Sequence, residues 1–342
     1  DVTMIEDGSV VVSDADADAV AEVASKYDIN VEQASKADLE ALSAPSAKGL
    51  KDLKLVYVGN QDDSLSLAEL GFNRLVPETA APVNPAILED VDVIWVGANF
   101  NPSGAAKEAV KAWVDAGGSI VGRAAAGFNA AKLFELVDGT AVNGNSSGNG
   151  IVAVDTPEGS ALEAYEQDAS FVYPATWFTG LGADTKVEQS YANRNGSPLL
   201  AGHWRPSNAN NPTNGPAQAA GQASVVSGQK ASGAKSIVFG TSVFFRTHPK
   251  GGLSQAARGI FWAAPEGAKV EAPVPADATV KLSLAKSSTS YGQANTATVS
   301  VTGEGKAATG DVKLTLNGKA LSTLKLSNGK ASLNLSAKTV PG

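Results

Sequence analysis

Gly122-Arg123-Ala124-Ala125-Ala126-Gly127 is the stretch on which the fold of this chain turns. It follows an apolar strand, Ser119-Ile120-Val121, and leads into a helix, Phe128-Asn129-Ala130-Ala131-Lys132-Leu133-Phe134. A glycine-flanked strand-to-helix turn is where many α/β hydrolytic enzymes expose a nucleophile. Here alanine holds the exposed position, and the 342 residues include no cysteine. The sequence reads as an enzyme scaffold without its reactive atom. That favours a binding or spacing role over catalysis by this chain.

The α/β rhythm extends to both sides of the turn. Upstream, Leu55-Val56-Tyr57-Val58 and Val91–Val96 are continuous apolar strands. Leu65–Leu70 between them reads as a helix stopped by Gly71. A second helix has Asn101 as cap, Pro102 in its first turn, Gly117 as its stop, and Ala106, Val110, Trp113 and Val114 toward the sheet. Downstream, Ser236-Ile237-Val238-Phe239-Gly240 restores the pattern, and a closing helix carries Leu253, Ala257, Ile260 and Phe261 on one face. Strands buried on both faces read as unbroken apolar runs. Alternating strands and helices predict an α/β fold with an open, mostly parallel sheet.

Residues 140–235 break the rhythm. Ile151–Val154, Phe171–Tyr173, Val187–Tyr191, Leu199–Ala201 and Ala223–Val226 read as a β-rich insertion or an extending set of antiparallel strands, and 206–220 as a polar loop. Residues 1–50 read as a small αβ appendage: a strand at 9–12, then a helix capped by Ser13 or Asp14 with Val20, Val23, Ala24 and Tyr27 as its apolar stripe. Residues 265–278 (PEGAKVEAPVPADA) form a Pro/Ala-rich linker. Beyond it the apolar period becomes two, at Val280, Leu282 and Leu284 and again at Val312, Leu314 and Leu316. Asn317-Gly318 and Asn328-Gly329 supply turns. Residues 279–342 therefore read as an all-β sandwich.

Composition narrows the function. Hydrophobic residues make up 43%, aromatic residues 6% and charged residues 18%. A net charge of −8 argues against nucleic acid, whose phosphates bind Lys and Arg, and against anionic membrane surfaces. No apolar run approaches the roughly 20 residues that span a bilayer. Without cysteine there are no disulfides, thiolate metal sites or thiol nucleophiles. The chain starts at Asp1 without a signal peptide, as expected of a processed portion of a longer polypeptide.

Two resemblances follow from particular residues. Val91–Gly97, Trp113–Gly122 and Ser236–Arg246 resemble the class I glutamine-amidotransferase-like (flavodoxin-like) fold, in the variant that follows the catalytic domain of secreted zinc carboxypeptidases. Tyr291-Gly292-Gln293, Thr309–Leu314, Leu326–Ala331 and Val340-Pro341-Gly342 resemble a bacterial Ig-like repeat, here truncated after the Pro-Gly corner. The resemblances imply an amidotransferase-like domain at 51–264 and an incomplete Ig-like domain at 279–342. Amidotransferases of this fold place cysteine at the turn, where Ala124 stands by the glycine spacing. Their His-Pro-Glu element becomes His248-Pro249-Lys250 here, so His248 is a vestige with no thiol to deprotonate.

Further candidate residues each carry a plainer explanation beside the functional one. Asp62, Asp63, Asn99, Arg123, Ser242 and Arg246 lie beyond the carboxyl ends of core strands, where open α/β sheets bind ligands. Helix capping and solvated loops explain the same residues. Asp14, Asp16 and Asp18 have calcium-loop spacing without the turn glycine or the distal glutamate, so acidic helix capping competes with metal binding. A carboxypeptidase-type zinc site needs two histidines and a carboxylate. His203 and His248 are the only histidines, and neither belongs to a His-x-x-Glu motif. Trp177, Phe178 and Trp204 are either a sugar-stacking platform or core. No cofactor is expected.

These readings predict an extracellular, non-catalytic accessory region of a bacterial hydrolase that binds polymeric or protein substrate or the cell surface. A cell-wall adhesion protein is the alternative. A hydrolase using the crevice without cysteine is the third possibility.

Overall fold

The computed structural model describes residues 1–13, 15–27, 29–72, 75–78, 88, 90–210, 212, 214–266, 278–290, 292–303, 306–308 and 310–336. The chain divides into two compact units, Asp1–Asp14 with Gln33–Ala272, and Ala15–Glu32 with Pro273–Gly342. Most of the linker read at 265–278 lies outside the described residues.

The first unit begins with strands β1 (Val2–Met4) and β2 (Val10–Val12). In the second unit, helix α1 (Ala17–Lys26) is capped by Asp16, whose carboxylate accepts from the Asp18 and Ala19 amides. The expected cap at Ser13 or Asp14 is thus displaced, and Asp14 itself lies outside the described residues. Of the expected apolar stripe Ala24 is buried, whereas Val23 and Tyr27 are 53% and 64% exposed. Helix α2 (Lys36–Ala41) opens on a Ser35/Asp38 capping box. Strand β3 (Lys48–Gly49) completes an antiparallel sheet in the order β2-β1-β3.

The core follows in alternation: β4 (Leu55–Val58), α3 (Gln61–Glu69), β5 (Leu75–Glu78), β6 (Val93–Val96), α4 (Gly104–Asp115), β7 (Ser119–Arg123) and α5 (Ala124–Leu133). Helix α4 is capped at Ser103 rather than Asn101, two residues later than expected, and ends before Gly117 at φ +109°. The β-rich stretch supplies β8 (Thr140–Asn143), β9 (Asn149–Asp155), β10 (Ala169–Val172), β11 (Thr176–Thr179), β12 (Lys186–Tyr191) and β13 (Leu199–His203). A short helix α6 (Pro216–Ala219), inside the expected loop, precedes β14 (Ala223–Gln229), β15 (Lys235–Phe239) and helix α7 (Lys250–Ala263).

Five strands pair in parallel in the order β5-β4-β6-β7-β15. Counted along the chain that order is 2-1-3-4-5, the flavodoxin-like doubly wound arrangement. From β15 the same sheet continues through antiparallel neighbours β14, β12, β9 and β10. Of the two placements read for the β-rich strands, inserted or extending, they extend the core sheet.

Apolar runs dictate this burial. Val56, Ile94, Ile120 and Val238 turn to one face, under Val110 and Val114 of α4 and Phe128 of α5. Leu55, Val93, Val121 and Ile237 turn to the other, under Leu67 of α3 and Leu253 and Ile260 of α7. Each such side chain contributes about 1.5–3 kcal/mol when fully buried.

In the second unit, β16 (Ala278–Leu284), β17 (Asn295–Gly303), β18 (Lys306–Ala307) and β21 (Lys330–Leu335) form one antiparallel sheet. The hairpin of β19 (Asp311–Leu316) and β20 (Lys319–Lys325) forms another. Val299, Val301, Leu326 and Ala331 make a small core with Val312, Leu314 and Leu324. The corner read at Val340-Pro341-Gly342 lies outside the described residues, as do Tyr291 and Thr309.

Candidate functional site

A 2-1-3-4-5 sheet opens a crevice where the strand order reverses, here beyond the carboxyl ends of β4 and β6. Asn60 follows β4 and Gly97 follows β6. The stretch Gln61–Ser64, which precedes the helix read at Leu65–Leu70, is the first turn of α3. Asn60 caps it by accepting from the Asp62 amide, while Asp63 closes a capping box by accepting from the Asn60 amide at 2.9 Å.

Asp63 is fully buried and fills the crevice floor. Its Oδ1 accepts from Trp95 Nε1 at 2.9 Å and Arg123 Nε at 2.7 Å. Its Oδ2 accepts from the Asn60 amide at 2.9 Å and Arg123 Nη2 at 2.8 Å. An ionised carboxylate offers about four acceptor positions, and all are taken. Arg123, the last residue of β7, thus grips Asp63 with a two-pronged, charge-assisted pair. Burial by itself would lower the Arg123 pKa, but the hydrogen bonds and charge of Asp63, helped by Asp62, hold it above the ordinary value. The fit requires missing side chains: a Cβ at Gly59 or Gly97 would overlap the Asp63 carboxylate.

Ala124 comes directly after Arg123 and has φ +55°. This left-handed conformation costs a non-glycine residue roughly 1–2 kcal/mol and is the bend that displays a nucleophile at other strand-to-helix turns. The turn is tight because Gly122 and Gly127 face one another, with a Cβ on Gly122 coming 2.8 Å from Gly127 Cα and overlapping the Val96 carbonyl. The backbone of a nucleophile turn is therefore present, and it presents a methyl group.

The remaining candidates follow the carboxyl ends of β4, β6 and β15. Asp62 is half-buried in the first turn of α3, and Asn99 is exposed after β6. Ser242 Oγ accepts from the Tyr173 amide at 2.7 Å, and the Ser242 amide donates to Phe171 O at 2.8 Å. Phe245 lies against Phe171 and Tyr173, at centroid distances of 5.0 and 4.6 Å. Arg246, exposed and at φ +49°, stacks on Phe245 at 5.2 Å. His248 is exposed. Thr241 Oγ1 is buried without a hydrogen-bond partner among the described residues.

The other candidates lie elsewhere. Asp16 is occupied as a helix cap, and Asp18 pairs with Lys325. His203 is exposed at the end of β13. Among the described residues no group of three or more His, Asp or Glu is placed to hold a metal ion. Trp177, Phe178 and Trp204 are 2%, 1% and 4% exposed, so they are core and not a sugar platform. The Asp63–Arg123 pairing has no signature in the sequence, although the Asn60-x-x-Asp63 spacing is a readable capping box.

No protein-family model matches the chain, and no curated protein matches it. Solved structures similar to it include a ThuA-like protein of Bacteroides uniformis, 14% identical over 68% of this chain and 95% of that one, with a TM-score of 0.42. A protein of Thermoplasma acidophilum named for a GMP synthase component is 13% identical over 62% of this chain and 94% of that one (TM-score 0.41). A glutamine amidotransferase of Thermotoga maritima is 10% identical over 57% and 79% (TM-score 0.36). Neighbours of the glutamine-amidotransferase-like and ThuA-like class are thus found at low identity. At TM-scores below 0.5 they assign neither activity nor ligand to this chain.

Proposed function

We propose that this chain is a non-catalytic binding and positioning region of a secreted hydrolase, with an Ig-like C-terminal unit as spacer or tether. One observation supports the reading above others: the bend at φ +55° carries Ala124, and the crevice beside it is filled by the Asp63–Arg123 pair. A methyl group cannot attack a substrate. Nucleophilic catalysis needs a nucleophile with a base in hydrogen-bond reach. Asp63 has no free lone pair to serve as that base, and Ser242 Oγ is engaged with the Tyr173 amide. These contacts weigh against a hydrolase working through Ser242 or Asp63.

The zinc-carboxypeptidase parent rests on the resemblance of residues 51–264, and its metal site would belong to another part of the parent polypeptide. The adhesion reading gains support from β16, where Val280 and Leu282 are each 61% exposed and Leu284 47%. Exposed apolar patches of this kind often mark interaction surfaces. Co-sedimentation of the purified chain with peptidoglycan sacculi, and capture on immobilised casein, test the binding role. Retention on either, without release of products, is the expected result; retention on neither would contradict it.

A further inference from the structure

A polar cavity lies in the first unit, at the far end of β15 from the crevice. It encloses about 270 Å³, close to the roughly 300 Å³ at which small-molecule sites begin. Four cations line it, Lys48, Lys186, Lys235 and Arg258, against two carboxylates, Glu6 and Glu266. In a chain of net charge −8 this concentration of positive charge needs a cause.

Two of the cations are deeply buried, Lys48 at 4% and Arg258 at 8% exposure. Lys48 Nζ donates to the Phe261 and Trp262 carbonyls at 2.7 and 3.3 Å, at the end of α7. Lys235 Nζ donates to Trp262 O at 3.4 Å and lies over the Trp262 ring. Arg258 donates to the Ala161 and Glu6 carbonyls, each at 2.9 Å, with its third contact to Met4 Sδ. Lys186 donates to Gly159 O at 2.7 Å and pairs with Glu188 at 3.4 Å. Among the described residues Lys48, Lys235 and Arg258 meet carbonyls, a ring and a thioether, and no carboxylate within ion-pair distance.

A helix carboxyl end carries about half a negative charge, so capping α7 calls for one cation at most. Buried cations cost several kcal/mol each unless an opposite charge compensates them. We propose that this cavity binds a small multivalent oxyanion, a di- or tricarboxylate or a phosphate ester, held by Lys48, Lys235 and Arg258. Lys186 lies at the rim with its charge shared by Glu188.

A second signature follows from protonation. Burial, reinforced by Lys235 and Arg258 and opposed by Glu266 and Asp92, lowers the Lys48 pKa to about 7. Lys186 and Glu6 also face the cavity. At pH 8 Lys48 is largely neutral, and an incoming anion draws a proton onto it.

Isothermal titration of the full chain with citrate and with inorganic phosphate, at constant ionic strength against a chloride control, tests the site. Saturable binding of either anion is expected, citrate alone identifying a carboxylate ligand and phosphate alone a phosphate ligand. Lys235→Gln, at a half-buried position, should weaken that binding roughly tenfold or more, and Lys36→Gln, on the exposed face of α2, should leave it unchanged. At pH 8 the heats in Tris and HEPES should differ for the parent chain and converge for Lys48→Gln. Failure of both anions to bind beyond the chloride control would overturn the site. So would Lys235→Gln binding as tightly as the parent.

Discussion

Asp63 and Ala124 carry the functional reading at the scale of single residues. Asp63 is buried among four donors, and the two from Arg123 compensate its charge. Removing one partner of a buried ion pair leaves the other charged and unsatisfied, at a cost of about 3–5 kcal/mol. Urea unfolding of Asp63→Ala should show a loss of that size. Asp63→Ala/Arg123→Ala should lose clearly less than the two single variants summed, which is the signature of a coupled pair. Additive losses would mean that the pair is incidental. Ala124 poses the opposite case. At φ +55° its Cβ is held in a strained conformation, so Ala124→Gly should stabilise the fold by about 1 kcal/mol in the same assay. A loss on that substitution would show that the methyl group has a packing role. Alanine at 124 is visible in the sequence, and the structure puts it at the start of α5 with φ +55°. The grip of Arg123 on Asp63 was not visible, because partners 60 positions apart in the chain meet only through the β4/β6/β7 order.

At the scale of elements, the crossing of β7 and α5 depends on close backbone approach. Gly122→Ala would drive a methyl group into the Val96 carbonyl and toward Gly127, and overpacking of this kind costs roughly 1–3 kcal/mol. A thermal midpoint unchanged from the parent would show that strand and helix separate easily there. Core strands were legible because burial on both faces leaves apolar runs such as Val93–Val96. Helix starts were less so. The helix reads from Leu65, yet Asn60 and Asp63 satisfy the first amides and allow it to begin at Gln61. The α1 stripe misled in the other direction, since periodic apolar residues fix a helix but not what covers it.

At the scale of the whole molecule, sheet continuity and charge placement were the least legible features. Pairing of β14 with β15 joins the β-rich strands to the parallel core, and no local pattern announces a pairing partner. Nor does any pattern announce that Lys48, Lys235 and Arg258 meet around one cavity. Lys48 has a measurable consequence for the entire fold. Its pKa is about 7 in the folded chain against an ordinary 10.5, so the unfolded chain binds more protons across that interval. Stability therefore rises as pH increases from about 7 toward 10, by up to ~1.4 kcal/mol per pH unit from this group. In Lys48→Met that increment should vanish from chemical-denaturation curves at pH 7, 8 and 9. An unchanged slope would place the lysine's charge in water.

The most direct test of the central claim is turnover. Purified chain, at micromolar concentration, should hydrolyse amide, ester, peptide and glycoside substrates no faster than buffer, and Ser242→Ala should change nothing. Turnover by the parent chain that disappears in Ser242→Ala would contradict the account.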